Sequence, residues 1–228
     1  MGSHVLGFAA AYFCLGLGFL FTHLVPDPGA FYVFHVTQVL YTLGTGVLIW
    51  AATKRVRQQV SIRALVVVYA VSALTLAAAI FLSDDTAPRL YIVNTGYGVM
   101  MVIGTMALFN VQRRNAIDTL IAVLFATAAV NFLVRPVLTL IIAGGSDASA
   151  YRESIYYSVL SVAVTIASLM TGVALIGACA WDMVIAERER AERDMLTGLR
   201  ARRAFEQDAI AIIERAKQEG VPVGLVVA

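Results

Sequence analysis

Along most of this chain apolar positions do not alternate with polar ones; they run together. Six runs, near residues 5–24, 31–53, 64–83, 89–110, 116–143 and 153–181, carry only isolated polar side chains. A helix needs about 20 residues to cross a hydrocarbon core of about 30 Å, and every run is that long. Inside a bilayer each backbone N–H and C=O must be satisfied within its own segment, so the runs predict membrane-spanning helices. The first run is too long for the apolar core of a secretory signal, and no basic segment precedes it. It therefore reads as a span.

After residue 181 the pattern changes. Residues 1–181 hold nine basic and six acidic side chains, whereas the last 47 residues hold eight and nine. The 60% apolar content and mean hydropathy of +0.80 exclude a water-soluble globule for the chain as a whole. The division expected is a six-helix transmembrane domain over 1–181, a connector helix over 182–193 and the opening of a soluble domain over 194–228. Lysine and arginine are too scattered for a nucleic-acid surface. Cys14 and Cys179 lie far apart inside apolar runs and read as small buried residues, not as a disulfide or metal site.

Charge between the runs sets orientation. Lys54, Arg55, Arg57 and Arg63 make one connection strongly basic, and Arg113 and Arg114 make another so. The remaining connections, around Asp27, around Asp84 and Asp85, and around Asp147, are acidic or neutral. Basic connections stay in the cytoplasm, which places both termini inside and agrees with an even number of spans. A bacterial cytoplasmic (inner) membrane, crossed several times, is the expected location.

Glycines recur in the runs: Gly16 and Gly18, Gly44 and Gly46, Gly96, Gly98 and Gly104, Gly172 and Gly177. Helices in lipid gain no hydrophobic drive from meeting one another, so small residues that permit close approach read as packing positions. Pro136 removes a backbone donor from the fifth run and predicts a kink near 134–136. No breaker separates the sixth run from Glu187, Arg188, Glu189 and Arg190, so one rod is expected to leave the membrane. Val184, Ala191 and Met195 form a short seam suited to a second copy of the helix, although a solvated linker helix has the same composition.

Residues 194–205 read D-M-L-T-G-L-R-A-R-R-A-F. Beyond them Phe205, Ala209, Ile212, Ile213 and Ala216 recur at helical spacing, Gly220 stands where a left-handed cap belongs, and Pro222 follows. Residues 223–228 are apolar and rich in valine, which predicts a buried strand. The stretch resembles the opening signature of the GGDEF (diguanylate cyclase) family, D-x-L-T-G-L-x-N-R-R-x-F. Asp194, Leu196, Thr197, Gly198, Leu199, Arg202, Arg203 and Phe205 match it, and Ala201 stands where the family has Asn.

The runs predict an all-α polytopic bundle of six transmembrane helices followed by a cytoplasmic connector helix; the resemblance, which covers roughly residues 187–228, adds the first helix and strand of an α/β GGDEF domain. It also implies, for the full-length protein, synthesis of cyclic di-GMP from two GTP with Mg²⁺ as the metal. The metal-binding carboxylate and the Gly-Gly-Asp/Glu-Glu-Phe turn of the family would come after residue 228, so no catalytic residue or metal ligand is expected in this chain. Asp194 is spaced to pair with Arg202 or Arg203 and close the connector onto the domain. Gly198 would permit a positive-φ turn, and Ala201 lacks the side chain with which Asn bonds its own backbone. A second reading, a non-catalytic membrane sensor or scaffold with a degenerate GGDEF unit ahead of a phosphodiesterase domain, rests on that departure.

Polar side chains within a bilayer are costly and mark functional positions. His35 and Gln38, Tyr91 and Asn94, and Asn131 and Arg135 each share one helix face, all toward the outer side. They predict a pocket for a small or lipidic ligand, with Arg135 as the anchor of an anionic group; interhelical hydrogen bonds would use the same residues. His23 and His35, on adjacent spans, have the residue type of axial haem ligands as well as that of packing histidines. Acidic residues are missing from the span centres and the two halves do not repeat, which disfavours a transporter.

Overall fold

A computed structural model of the chain describes residues 3–24, 31–82, 86–112, 114–143, 155–192 and 201–224. They form α1 (Ser3–Leu24), α2 (Phe31–Arg55), α3 (Ile62–Leu82), α4 (Thr86–Phe109), α5 (Ala116–Ala143), α6 (Ile155–Ala191) and α7 (Arg202–Glu219). Six of these helices are long and apolar enough to cross a membrane, over Ser3–Thr22, His35–Arg55, Ile62–Leu82, Pro88–Phe109, Ala116–Leu138 and Ser161–Arg188. The chain is a multi-pass membrane protein. Two compact units divide it, Met1–Gly177 and Ala178–Ala228.

In the first unit α2 and α4 are the central helices. α1 packs on α2, α5 packs on α4, and α3 touches both α2 and α4. Ile49, Ala52 and Thr53 of α2, Met100 and Met101 of α4, and Ile121 and Phe125 of α5 are buried. Val66, Val67 and Leu74 of α3, and Ile166, Leu169, Val173 and Ile176 of α6, are exposed. So much exposed aliphatic surface suits lipid as the surrounding solvent. Hydroxyls in the spans bond their own helices, as Thr75 to the Val71 carbonyl at 2.8 Å and Thr127 to that of Val123 at 2.9 Å. A short polar side chain is thereby tolerated in hydrocarbon.

Small residues carry the close approaches. A Cβ on Gly44 would fall 2.7 Å from Leu15 Cγ and 3.1 Å from the Ala11 carbonyl oxygen, and one on Gly98 would fall 2.6 Å from Leu133 Cδ2. Among the described residues nothing lies within 4 Å of a Cβ placed on Gly16 or Gly177, so the packing role expected of these two is not seen there. α5 continues through Pro136. α4 begins three residues before the expected 89, because Pro88 falls in its first turn, where a missing N–H costs nothing.

Two residues past the end of α2, Arg57 has a φ of 57°; Gln58 N–H donates to the Thr53 carbonyl (2.9 Å) and Arg57 N–H to that of Lys54 (3.1 Å). This paired closure normally uses glycine. α6 runs 37 residues without a break. At about 1.5 Å per residue it reaches ~55 Å, well past a ~30 Å core, as a rod leaving the membrane must.

In the second unit α7 has its left-handed cap at Gly220, φ 68°, with Val221 N–H donating to the Ala216 carbonyl at 3.0 Å. The strand expected from residue 223 is not formed at Val223 and Gly224, and the described residues contain no strand at all. A strand exists only through the ladder it makes with a neighbour, and apolar β-branched content alone does not create one. Residues 225–228 lie outside the described residues.

Candidate functional site

Among the residues predicted to line a pocket, Gln38 is buried, at 3% exposed. Its Nε2 donates to Ser72 Oγ of α3 at 3.1 Å, and Ser72 Oγ donates to the Ile92 carbonyl of α4 at 3.4 Å. One amide thus ties three helices through a serine hydroxyl. Gly96 makes room for it: a Cβ there would sit 2.8 Å from Ser72 Oγ. Beside this relay, Tyr41 of α2, Tyr97 of α4 and Phe132 of α5 stack edge to face, with centroids 6.2 Å and 5.6 Å apart. Their quadrupoles favour this geometry, which links α2, α4 and α5.

Of the other predicted pocket residues, Asn94 bonds the Leu90 carbonyl of its own helix at 2.8 Å. Asn131 holds a buried side-chain oxygen with no partner among the described residues. His35, Tyr91 and Arg135 are half-buried. The geometry therefore joins Gln38 to α3 and α4, turns Asn94 onto its own helix, and leaves in Asn131 an acceptor for a donor. Ser72, Tyr97 and the buried Arg89 at the start of α4 belong to the same polar set and were not singled out from sequence. Arg89 opens the expected span 89–110 and reads from sequence as a boundary charge; in the structure it is buried.

At the opposite, basic end of the first unit the sequence reading missed an ion pair. Arg55 Nη1 of α2 meets Asp118 Oδ1 of α5, with side chains 4% and 11% exposed. Asp118 is also the third residue of the α5 cap. Its N–H donates to Asn115 Oδ1 at 2.7 Å, and its Oδ2 accepts from Asn115 N–H at 3.3 Å. The reciprocal cap satisfies two orphan donors, and the carboxylate opposes the positive end of the α5 dipole. The Asn-x-x-Asp spacing was legible; the partner 63 residues away was not. Lys54 Nζ lies 4.6 Å from the Trp50 ring centroid, and Arg114 Cζ lies 5.0 Å from that of Phe109.

The domain-opening motif is only partly described. Asp194, Leu196, Thr197, Gly198 and Leu199 lie outside the described residues, and Arg202 and Arg203 enter as backbone of the first turn of α7. The side chain of His23 likewise lies outside what is described. Ala201 N–H donates to the Glu192 carbonyl at 2.7 Å, a backbone tie between the residue that follows α6 and the residue that precedes α7. Ala201 is the N-cap of α7, and no side chain caps that helix. Replacing Ala201 with Asn is expected to stabilise α7 by about 1 kcal/mol, because Asn can accept from a free N–H of the first turn. Amide exchange in residues 202–205 should slow in that variant; unchanged exchange would count against the cap.

Among the described residues no group of three or more His, Cys, Asp or Glu is placed to hold a metal ion. The Mg²⁺ implied by the resemblance has no fitting ligand set in them. No protein-family model, curated protein or solved structure matches the chain.

Proposed function

We propose that this chain is the membrane-embedded sensor part of a diguanylate cyclase, which makes cyclic di-GMP from two GTP. The observation that carries the reading is the signature at 194–205, followed by a helix that starts at Arg202 and closes on left-handed Gly220 ahead of Pro222. In this reading the protein sits in the bacterial cytoplasmic membrane with both termini inside, and pairs as a homodimer along the helix that leaves the membrane. Two GTP-loaded domains must face each other for the ribose hydroxyl of one GTP to attack the α-phosphorus of the other. A ligand that binds one packing of the bundle better than another shifts that geometry by its differential affinity alone. The region around Gln38, Asn131 and Arg135 is where a small or lipidic ligand would act, since the relay and the aromatic stack already couple four helices there.

The full-length protein purified in detergent should convert GTP to cyclic di-GMP with Mg²⁺ present. A folded, dimeric protein that yields no product would overturn the enzyme reading. It would favour the non-catalytic sensor or scaffold, which the uncapped Ala201 already motivates.

A further inference from the structure

The two basic connections, separate in sequence, are brought side by side by the Arg55–Asp118 ion pair. Lys54 and Arg57 flank Arg55 in the chain, Arg63 follows in the first turn of α3, and Arg114 precedes the Asn115 cap of α5. Between residues 50 and 65, and between 108 and 120, Asp118 is the only carboxylate, and Arg55 takes it. The side chains of Lys54, Arg57, Arg63 and Arg114 are all exposed. Their positive field is therefore gathered at one end of the bundle and is not cancelled by a neighbouring acid in either connection.

The depth of these cations is also set. Trp50 and Phe109 lie in the last turns of α2 and α4, and Lys54 and Arg114 sit over their rings. Aromatic rings favour the boundary between hydrocarbon and headgroups, so cations resting on them lie at headgroup level. Arginine and lysine there offer several N–H donors to phosphate oxygens, and a cluster of four at a membrane surface is the usual footprint of anionic lipid recognition.

We propose that the face formed by Lys54, Arg57, Arg63 and Arg114 binds the phosphate of an anionic lipid headgroup. The inference goes beyond the cyclase reading and does not depend on it. Bound lipid would bridge the α2–α3 and α4–α5 connections, adding a charge-based tie alongside the buried Arg55–Asp118 pair.

The test uses quenching of Trp50 by bromine-labelled lipids in vesicles, with the whole chain in a Trp181→Phe background. Phosphatidylglycerol should be favoured over phosphatidylcholine by at least about fivefold, the worth of a single cation near the surface. The ratio should fall toward one in Lys54→Gln/Arg57→Gln/Arg63→Gln/Arg114→Gln and stand between in Arg57→Gln/Arg63→Gln, each shown to be helical by circular dichroism. A ratio of one in the unsubstituted face, or an unchanged ratio in the fourfold variant, overturns the proposal. Inorganic phosphate at constant ionic strength should leave the ratio unchanged; if it abolishes the preference, the face takes free phosphate and the lipid assignment fails.

Discussion

Replacing Arg55 with Met is expected to lower the stability of the bundle by about 3–5 kcal/mol, the usual cost of removing one partner of a buried ion pair. The side chains are 4% and 11% exposed, so water cannot replace the lost guanidinium without opening the α2–α5 junction. Asp118 would keep one N–H donor, that of Asn115, against a full negative charge. Replacing both residues, Arg55→Met with Asp118→Leu, should recover most of the loss, because no unpaired charge is then left buried. The asymmetry separates a structural ion pair from a surface one, whose removal would cost under about 1 kcal/mol. Unfolding by added sodium dodecyl sulfate in mixed micelles measures it. A single variant as stable as the parent would show that the pair opens to solvent.

Gly44→Leu should have the next largest effect, a loss of about 1–3 kcal/mol from overpacking. A Cβ alone at position 44 would press on Leu15 and on the backbone oxygen of Ala11, and a backbone atom cannot swing aside as a rotamer can. α1 would have to move away from α2, which opens the most extensive seam in the first unit. Gly16→Ala is the matched control: nothing lies within 4 Å, so it should be neutral or raise helix stability by about 0.5–1 kcal/mol. Equal effects at the two positions would disprove the assigned seam.

Gly44 and Gly16 also show how far the sequence could be read. Both are glycines in apolar runs, and composition treats them alike. One meets a neighbouring helix and the other meets nothing among the described residues, which depends on how the spans are rotated about their axes. The same holds for the polar residues: Gln38 and Asn94 look equivalent, yet one crosses to α3 and the other folds back on α4. Their side chains chose partners by distance, and distance between spans is not written in any local spacing. Ala201 is the opposite case. The signature marked it as lacking the side chain with which Asn bonds its own backbone, and the structure makes it the N-cap of α7 with no side-chain cap.

What the chain determined by itself was its solvent and its local helices. Long apolar runs must lie in lipid and must satisfy their own backbones there, Gly220 must end the helix before Pro222, and no breaker stops α6 before it leaves the core. These are consequences of nearest neighbours and of the bilayer. The ion pair between Arg55 and Asp118, the Gln38–Ser72 relay and the gathering of two basic connections onto one face were decided only in three dimensions. Each joins residues from different spans, and in lipid the free energy that selects such neighbours comes from packing and paired polar groups, which the order of residues along one helix does not reveal.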